Sequence, residues 1–210
     1  MKFKAVVFDM DGVLIDARDW HYRALNQALS PFGLEISEHD HAKRFNGLST
    51  TTKLRILSDE KGLPRELHQT IFNIKQDRTF RIASEKCFPI LEHQVLLSRL
   101  QKLGLKIGVY TNSIRATAEY MLDRANISKY LDTLITNQDV DKHKPEPEGY
   151  LLACKNLGLS PKDVLVIEDG EYGKIAARNA GCEVFEVEGP WEVNIDNISK
   201  AIAGLINVQH

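Results

Sequence analysis

Four apolar runs in this 210-residue chain each close on a polar residue: Phe3 to Asp9, Lys106 to Thr111, Thr133 to Thr136, and Val164 to Asp169. Short runs of this kind suit strands buried on both faces of a parallel sheet, where chemistry gathers at the C-terminal ends. Glu183 to Val187 is a fifth candidate. Between the runs the period turns helical. Ala118, Met121, Leu122 and Ala125 fall on one stripe, and Tyr150, Leu151 and Cys154 on another, behind Pro147 at a favoured first helical position. Ile198, Ala201, Ile202, Leu205 and Ile206 make a last stripe, expected to pack against the sheet.

Residues 17 to about 85 break the alternation, because only helical periods occur there. Tyr22, Leu25, Leu29 and Phe32 share a face, and Gly33 follows as a stop signal. A second helix is expected over Thr51 to Lys61. A third opens with Pro64 and continues through Leu67, Ile71 and Ile74. The pattern predicts an α/β fold: a doubly wound, Rossmann-like parallel-sheet core from residues 1–15 and 86–210, with a small α-helical cap domain, 16–85, inserted after the first strand.

Composition narrows the classes. Hydrophobic residues at 43% supply a sizeable core, and 27% charged residues with a formal net charge of −2 give no field that would draw a nucleic-acid polymer or an anionic membrane. The N-terminal apolar run is too short for a secretion signal, and no stretch approaches the roughly 20 apolar residues that cross a bilayer. Cys87, Cys154 and Cys182 are odd in number and widely spaced, which argues against a disulfide framework or a zinc site. A reducing, cytoplasmic setting is expected, with the chain a monomer or small homo-oligomer.

The candidate chemistry sits at the strand ends. Asp9 and Asp11, two apart on extended backbone, point the same way, and Glu168-Asp169 closes the fourth run. Either pair alone has an ordinary structural explanation, a turn or a helix cap. If the two strands are neighbours, however, four acidic groups converge, and such a self-repelling cluster calls for a hard cation such as Mg²⁺. Thr111-Asn112-Ser113 and Lys144-Pro145-Glu146-Pro147 add a hydroxyl, an ammonium and loop amides, the groups that neutralise and orient a phosphoryl group.

With the motifs DMDGVL at Asp9 to Leu14, TNS at Thr111 to Ser113, KPEP at Lys144 to Pro147 and IEDGEYG at Ile167 to Gly173, in that order, the chain resembles the haloacid dehalogenase-like hydrolase superfamily. The resemblance is to its helical-cap branch, which includes enzymes like β-phosphoglucomutase and phosphoglycolate phosphatase. It implies a Mg²⁺-dependent phosphatase acting on a small phosphoester such as a sugar phosphate. Asp9 is then the nucleophile that becomes an aspartyl-phosphate, and Asp11 the general acid and base. Thr111 and Lys144 hold phosphoryl oxygens, with Lys144 also steadying Asp9. Amides near Gly12 and Asn112 complete a cradle beside Ser113. The metal falls to Asp9, the Asp11 carbonyl and Asp169, with Glu168 on the ion or just behind it.

The alternative is a phosphosugar mutase of the β-phosphoglucomutase type, and then a noncatalytic binding relative. Similar mutases carry an arginine after a G-x-S segment, whereas Gly47-Leu48-Ser49 is followed by Thr50. Many relatives read E-D-S where this chain has Gly170, removing a hydroxyl near the metal. Lys75 stands where such relatives present a substrate-facing lysine, and is a candidate to touch substrate, with a solvated helix residue as the equal alternative. Arg44, Asn46 and Lys53 are open in the same way.

Overall fold

The computed structural model describes residues 2–203. Five strands form one parallel sheet: β1 (Ala5–Phe8), β2 (Lys106–Tyr110), β3 (Thr133–Ile135), β4 (Val164–Glu168) and β5 (Glu183–Glu186), in the order β3-β2-β1-β4-β5. Each apolar run of the sequence becomes a strand. Asp9, Thr111, Thr136 and Asp169 stand one residue beyond the ends of β1 to β4. All residues of β1 and β4 are buried, as the absence of polar alternation requires for strands covered on both faces.

Register places the chemistry. Phe8 lies opposite Val109 on one side and Ile167 on the other, so β1 ends level with β2 and β4. From β1 the chain builds outward through β2 and β3, then returns to the opposite side for β4 and β5. This reversal leaves a crevice beyond the C-terminal end of β1, the usual binding place in a doubly wound sheet.

Helices α5 (Leu91–Lys102), α6 (Arg115–Arg124), α7 (Glu148–Leu157), α8 (Glu171–Asn179) and α9 (Ile195–Ala203) belong to the same unit as the sheet. Ala5, Val7, Val164 and Val166 meet Tyr150, Ala153, Cys154 and Leu157 of α7 and Ala176 and Ala177 of α8. By the pleat, Val6 and Phe8 face the other side, where they are equally buried. Leu151, expected on the buried stripe of α7, is 43% exposed; the buried positions are Gly149, Tyr150, Ala153, Cys154 and Leu157. Helix α5 was hidden in the sequence by exposed Leu91 and Val95, which blur the inward stripe of His93, Leu96, Leu97 and Leu100. Leu205 and Ile206 lie outside the described residues.

The second compact unit is Ala17–Cys87 and is wholly helical: α1 (Arg18–Leu29), a short turn α2 (Glu38–Asp40) continuing as a wider turn over His41–Phe45, α3 (Thr50–Lys61) and α4 (His68–Lys86). It has its own core of Leu25, Leu29, Ile36, Phe45, Leu54, Leu57, Leu63 and Ile71. Burying each leucine-sized side chain contributes about 1.5–3 kcal/mol. The starts and stops follow local chemistry. The Ser49 hydroxyl caps α3 by accepting the Thr52 amide at 3.2 Å. Gly33 adopts φ 70°, a left-handed turn that glycine enters without strain.

Candidate active site

Beyond β1 the backbone turns sharply. The Met10 carbonyl accepts from Val13, Leu14 and Ile15 at 3.3, 3.0 and 2.9 Å, and Gly12 sits at φ 97°. The Gly12 amide donates to the Ile15 carbonyl at 2.7 Å, so it is spent inside this turn. The turn holds Asp9 at the mouth of the sheet and Asp11 toward β2. There Asp11 Oδ2 accepts the Ser113 hydroxyl at 2.9 Å and the Thr111 hydroxyl at 3.3 Å, and Thr111 Oγ1 accepts the Ser113 amide at 3.0 Å. Thr111 and Ser113, both expected to meet substrate, therefore also orient the second aspartate.

Lys144 reaches in from the loop before α7 and is 5% exposed. Its ammonium donates to Asp9 Oδ1 at 2.5 Å, to Glu168 Oε1 at 2.6 Å and to the Tyr110 carbonyl at 3.2 Å. An ammonium has three hydrogens, so all are engaged here on the protein. It also lies over the rings of Tyr110 and Tyr150, 4.8 and 5.3 Å from their centroids. Glu168 is equally committed. Oε1 accepts Lys144 and the Tyr150 hydroxyl at 2.9 Å, and Oε2 accepts the amides of Asp169 and Gly170, each at 3.0 Å.

One ammonium faces four carboxylates. Burial pushes the Asp9 carboxyl well above its ordinary range; Lys144 opposes this, and the charges of Glu168, Asp169 and Asp11 push it further up. Burial alone would lower the Lys144 ammonium, but Asp9 and Glu168 outweigh it and hold the lysine charged. Asp9, Glu168 and Asp169 each offer an oxygen, all within 4.8 Å of one another. An all-oxygen, net-negative, largely buried donor set suits a hard divalent cation, which would relieve the repulsion that raises Asp9.

The fold thus brings together Asp9, Asp11, Thr111, Ser113, Lys144, Glu168 and Asp169 from three strand ends and one loop. Asn112 lies half-buried between Thr111 and Ser113. Lys75 belongs to the helical unit, where it is 6% exposed with its ammonium 3.1 Å from His21 Nδ1; the solvated alternative does not hold. Lys53 and His41 of that unit are also 6% exposed. Arg44 is exposed and pairs with Glu60 at 2.6 Å.

Sequence reasoning missed Tyr110, Tyr150, Gly149 and Gly173. A Cβ on Gly149 would lie 2.1–2.4 Å from the Tyr110 ring, and one on Gly173 would lie 1.6 Å from Glu168 Oε1. The available signal was a tyrosine on an otherwise apolar helical face, since a buried tyrosine hydroxyl needs a partner.

Fold, strand-end carboxylates and buried lysine together define a class. A model of the haloacid dehalogenase-like hydrolase family matches residues 6–187, and the chain belongs to that family. Among its relatives is the validoxylamine A 7′-phosphate phosphatase of Streptomyces hygroscopicus subsp. limoneus, 42% identical over 194 residues that cover 85% of this chain and 83% of the relative. The phosphorylated carbohydrates phosphatase of Thermotoga maritima is 29% identical over 180 residues, covering 86% of this chain and 82% of its own. A crystal structure of β-phosphoglucomutase from Clostridium difficile superposes with a TM-score of 0.84, covering 97% of this chain and 99% of that one. At 21% identity that likeness speaks for the fold alone. Among the described residues no helix is long and apolar enough to cross a membrane.

Proposed function

We propose that this chain is a Mg²⁺-dependent phosphatase that hydrolyses a small phosphorylated metabolite, a sugar phosphate or similar phosphomonoester, through an aspartyl-phosphate on Asp9. The observation that carries the reading is the pairing of Asp9 with one buried ammonium inside a cluster of carboxylates at the central strand end. The two relatives described above, both named as phosphatases of phosphorylated small molecules, favour hydrolysis over mutation of a sugar phosphate.

In this reading Lys144 fixes Oδ1 of Asp9, orienting the carboxylate for in-line attack on phosphorus. Asp11, held by Ser113 and Thr111, gives a proton to the leaving oxygen and later takes one from the incoming water, a role worth about 10²–10⁴-fold. Asp9 and Asp169, with the Asp11 carbonyl, would hold Mg²⁺, with Glu168 beside or behind them. When bound, the ion neutralises the phosphoryl oxygens and Asp9 together. In this reading the loop Thr111-Asn112-Ser113 lines the phosphoryl pocket.

The helical unit carries a cluster of basic side chains of its own. Lys53, Lys75, His21 and His41 gather there, and their mutual influence is plain at His41, whose pKa is lowered to about 3 by burial and then by Lys53, His21 and Lys75.

The test is turnover of a panel of phosphorylated metabolites with Mg²⁺ and with chelator, for the wild type and Asp9→Asn. Release of inorganic phosphate that needs Mg²⁺ and vanishes in Asp9→Asn is expected. Undiminished hydrolysis by Asp9→Asn would overturn the nucleophile, and isomerised sugar phosphate in place of free phosphate would turn the assignment to a mutase.

A further inference from the structure

We propose that Tyr150 is a positioning residue for phosphoryl transfer, its hydroxyl holding Glu168 so that Lys144 divides its ammonium correctly between Glu168 and Asp9. The inference rests on the reading of Asp9 as nucleophile.

Tyr150 lies on α7, completely buried, and gives its hydroxyl to Glu168 Oε1 at 2.9 Å. The same oxygen accepts Lys144 at 2.6 Å, and the same ammonium reaches Asp9 at 2.5 Å. One lysine therefore serves two carboxylates, so whatever strengthens its hold on Glu168 weakens its hold on Asp9. The tyrosine hydroxyl is a second donor on Oε1. It draws off part of the negative charge that competes for the ammonium, and charge-assisted bonds of this kind are the sensitive ones in a buried setting.

The surroundings leave the assembly little room to readjust. Oε2 of Glu168 is pinned by the Asp169 and Gly170 amides at 3.0 Å. Glycine at 173 lets the carboxylate sit against α8, and glycine at 149 lets Tyr110 sit against α7. The rings of Tyr110 and Tyr150 meet edge to face, centroids 4.9 Å apart at 89°, and both flank the ammonium. Aromatic faces favour the charged lysine without offering a competing acceptor. The hydroxyl of Tyr150 is thus the adjustable part of an otherwise closed frame.

Tyr150→Phe keeps the ring and deletes that donor. With Mg²⁺ and p-nitrophenyl phosphate, kcat should fall about 10- to 100-fold, the range for one hydrogen bond to a charged group, while KM shifts less than about twofold. In a Glu168→Gln background the same change should add less than about twofold, because both act through one path. A metal-free crystal structure of Tyr150→Phe should show Lys144 displaced from Asp9 toward Glu168. Wild-type kcat in Tyr150→Phe, a rise confined to KM, or multiplying effects of the two substitutions would overturn the proposal. The metal-free structure keeps the two readings apart: an unmoved Lys144 overturns the positioning role even if the enzyme is a phosphatase. A moved Lys144 in a protein whose wild type is inert on phosphoesters sinks the phosphatase reading instead.

Discussion

Gly173→Ala should disable this protein although it swaps one small helical residue for a better helix former. The added Cβ would lie 1.6 Å from Glu168 Oε1, 2.1 Å from Cδ and 2.6 Å from Oε2, so the carboxylate must leave its place. Leaving breaks its bonds to Tyr150, Lys144 and the amides of Asp169 and Gly170. Losing one partner of a buried ion pair costs about 3–5 kcal/mol, and alanine over glycine in a helix returns about 1 kcal/mol. The net is a loss of about 2–4 kcal/mol, or a fall in Tm of roughly 4–16 °C for a chain of this size. Gly170→Ser, three residues earlier, is the control. Its Cβ meets only Glu168 Oε2 at 3.7 Å, an ordinary contact. Gly170 is the N-cap of α8 with φ −92° and ψ 140°, backbone that serine adopts readily. That variant should gain a few tenths of a kcal/mol. Thermal melts of the metal-free proteins, with turnover on p-nitrophenyl phosphate, measure both. A Gly173→Ala variant as stable and active as the wild type would refute the claim that Glu168 is locked.

Lys144→Met should leave Asp9 and Glu168 buried without their shared cation, destabilising the metal-free protein by about 3–5 kcal/mol and abolishing turnover; urea denaturation with and without Mg²⁺ checks it. His41 supplies a pH test. Its folded pKa of about 3 lies below its ordinary value of 6.5, so the unfolded chain binds the extra proton between those values. Its contribution to stability is complete above pH 6.5 and is lost as pH falls toward 3, at up to about 1.4 kcal/mol per pH unit. His41→Phe should flatten this acid limb in urea titrations from pH 7 to 4, and an unchanged slope would show that the ring is not buried in its neutral form.

The motif order in the chain already carried the family, and the apolar runs carried the five strands, because both are local. A strand buried on two faces must be apolar throughout, and its polar successor marks the C-terminal end. The helical insertion was legible for the same reason: residues 17–85 hold only one period. Helix α5 escaped because exposed Leu91 and Val95 look like core in a one-dimensional pattern.

What only the tertiary structure decided is how the site residues share their bonds. Asp9 and Lys144 are 135 positions apart, and Ser113 meets Asp11 from 102 away. No local pattern says that Lys144 spends its hydrogens on the protein, or that Thr111 and Ser113 turn to Asp11. Nor could it show that Tyr150 faces Glu168 and that Gly173 makes room for it. These follow from parallel register, which sets the ends of β1, β2 and β4 level, and from close packing, which leaves a buried donor few acceptors within reach.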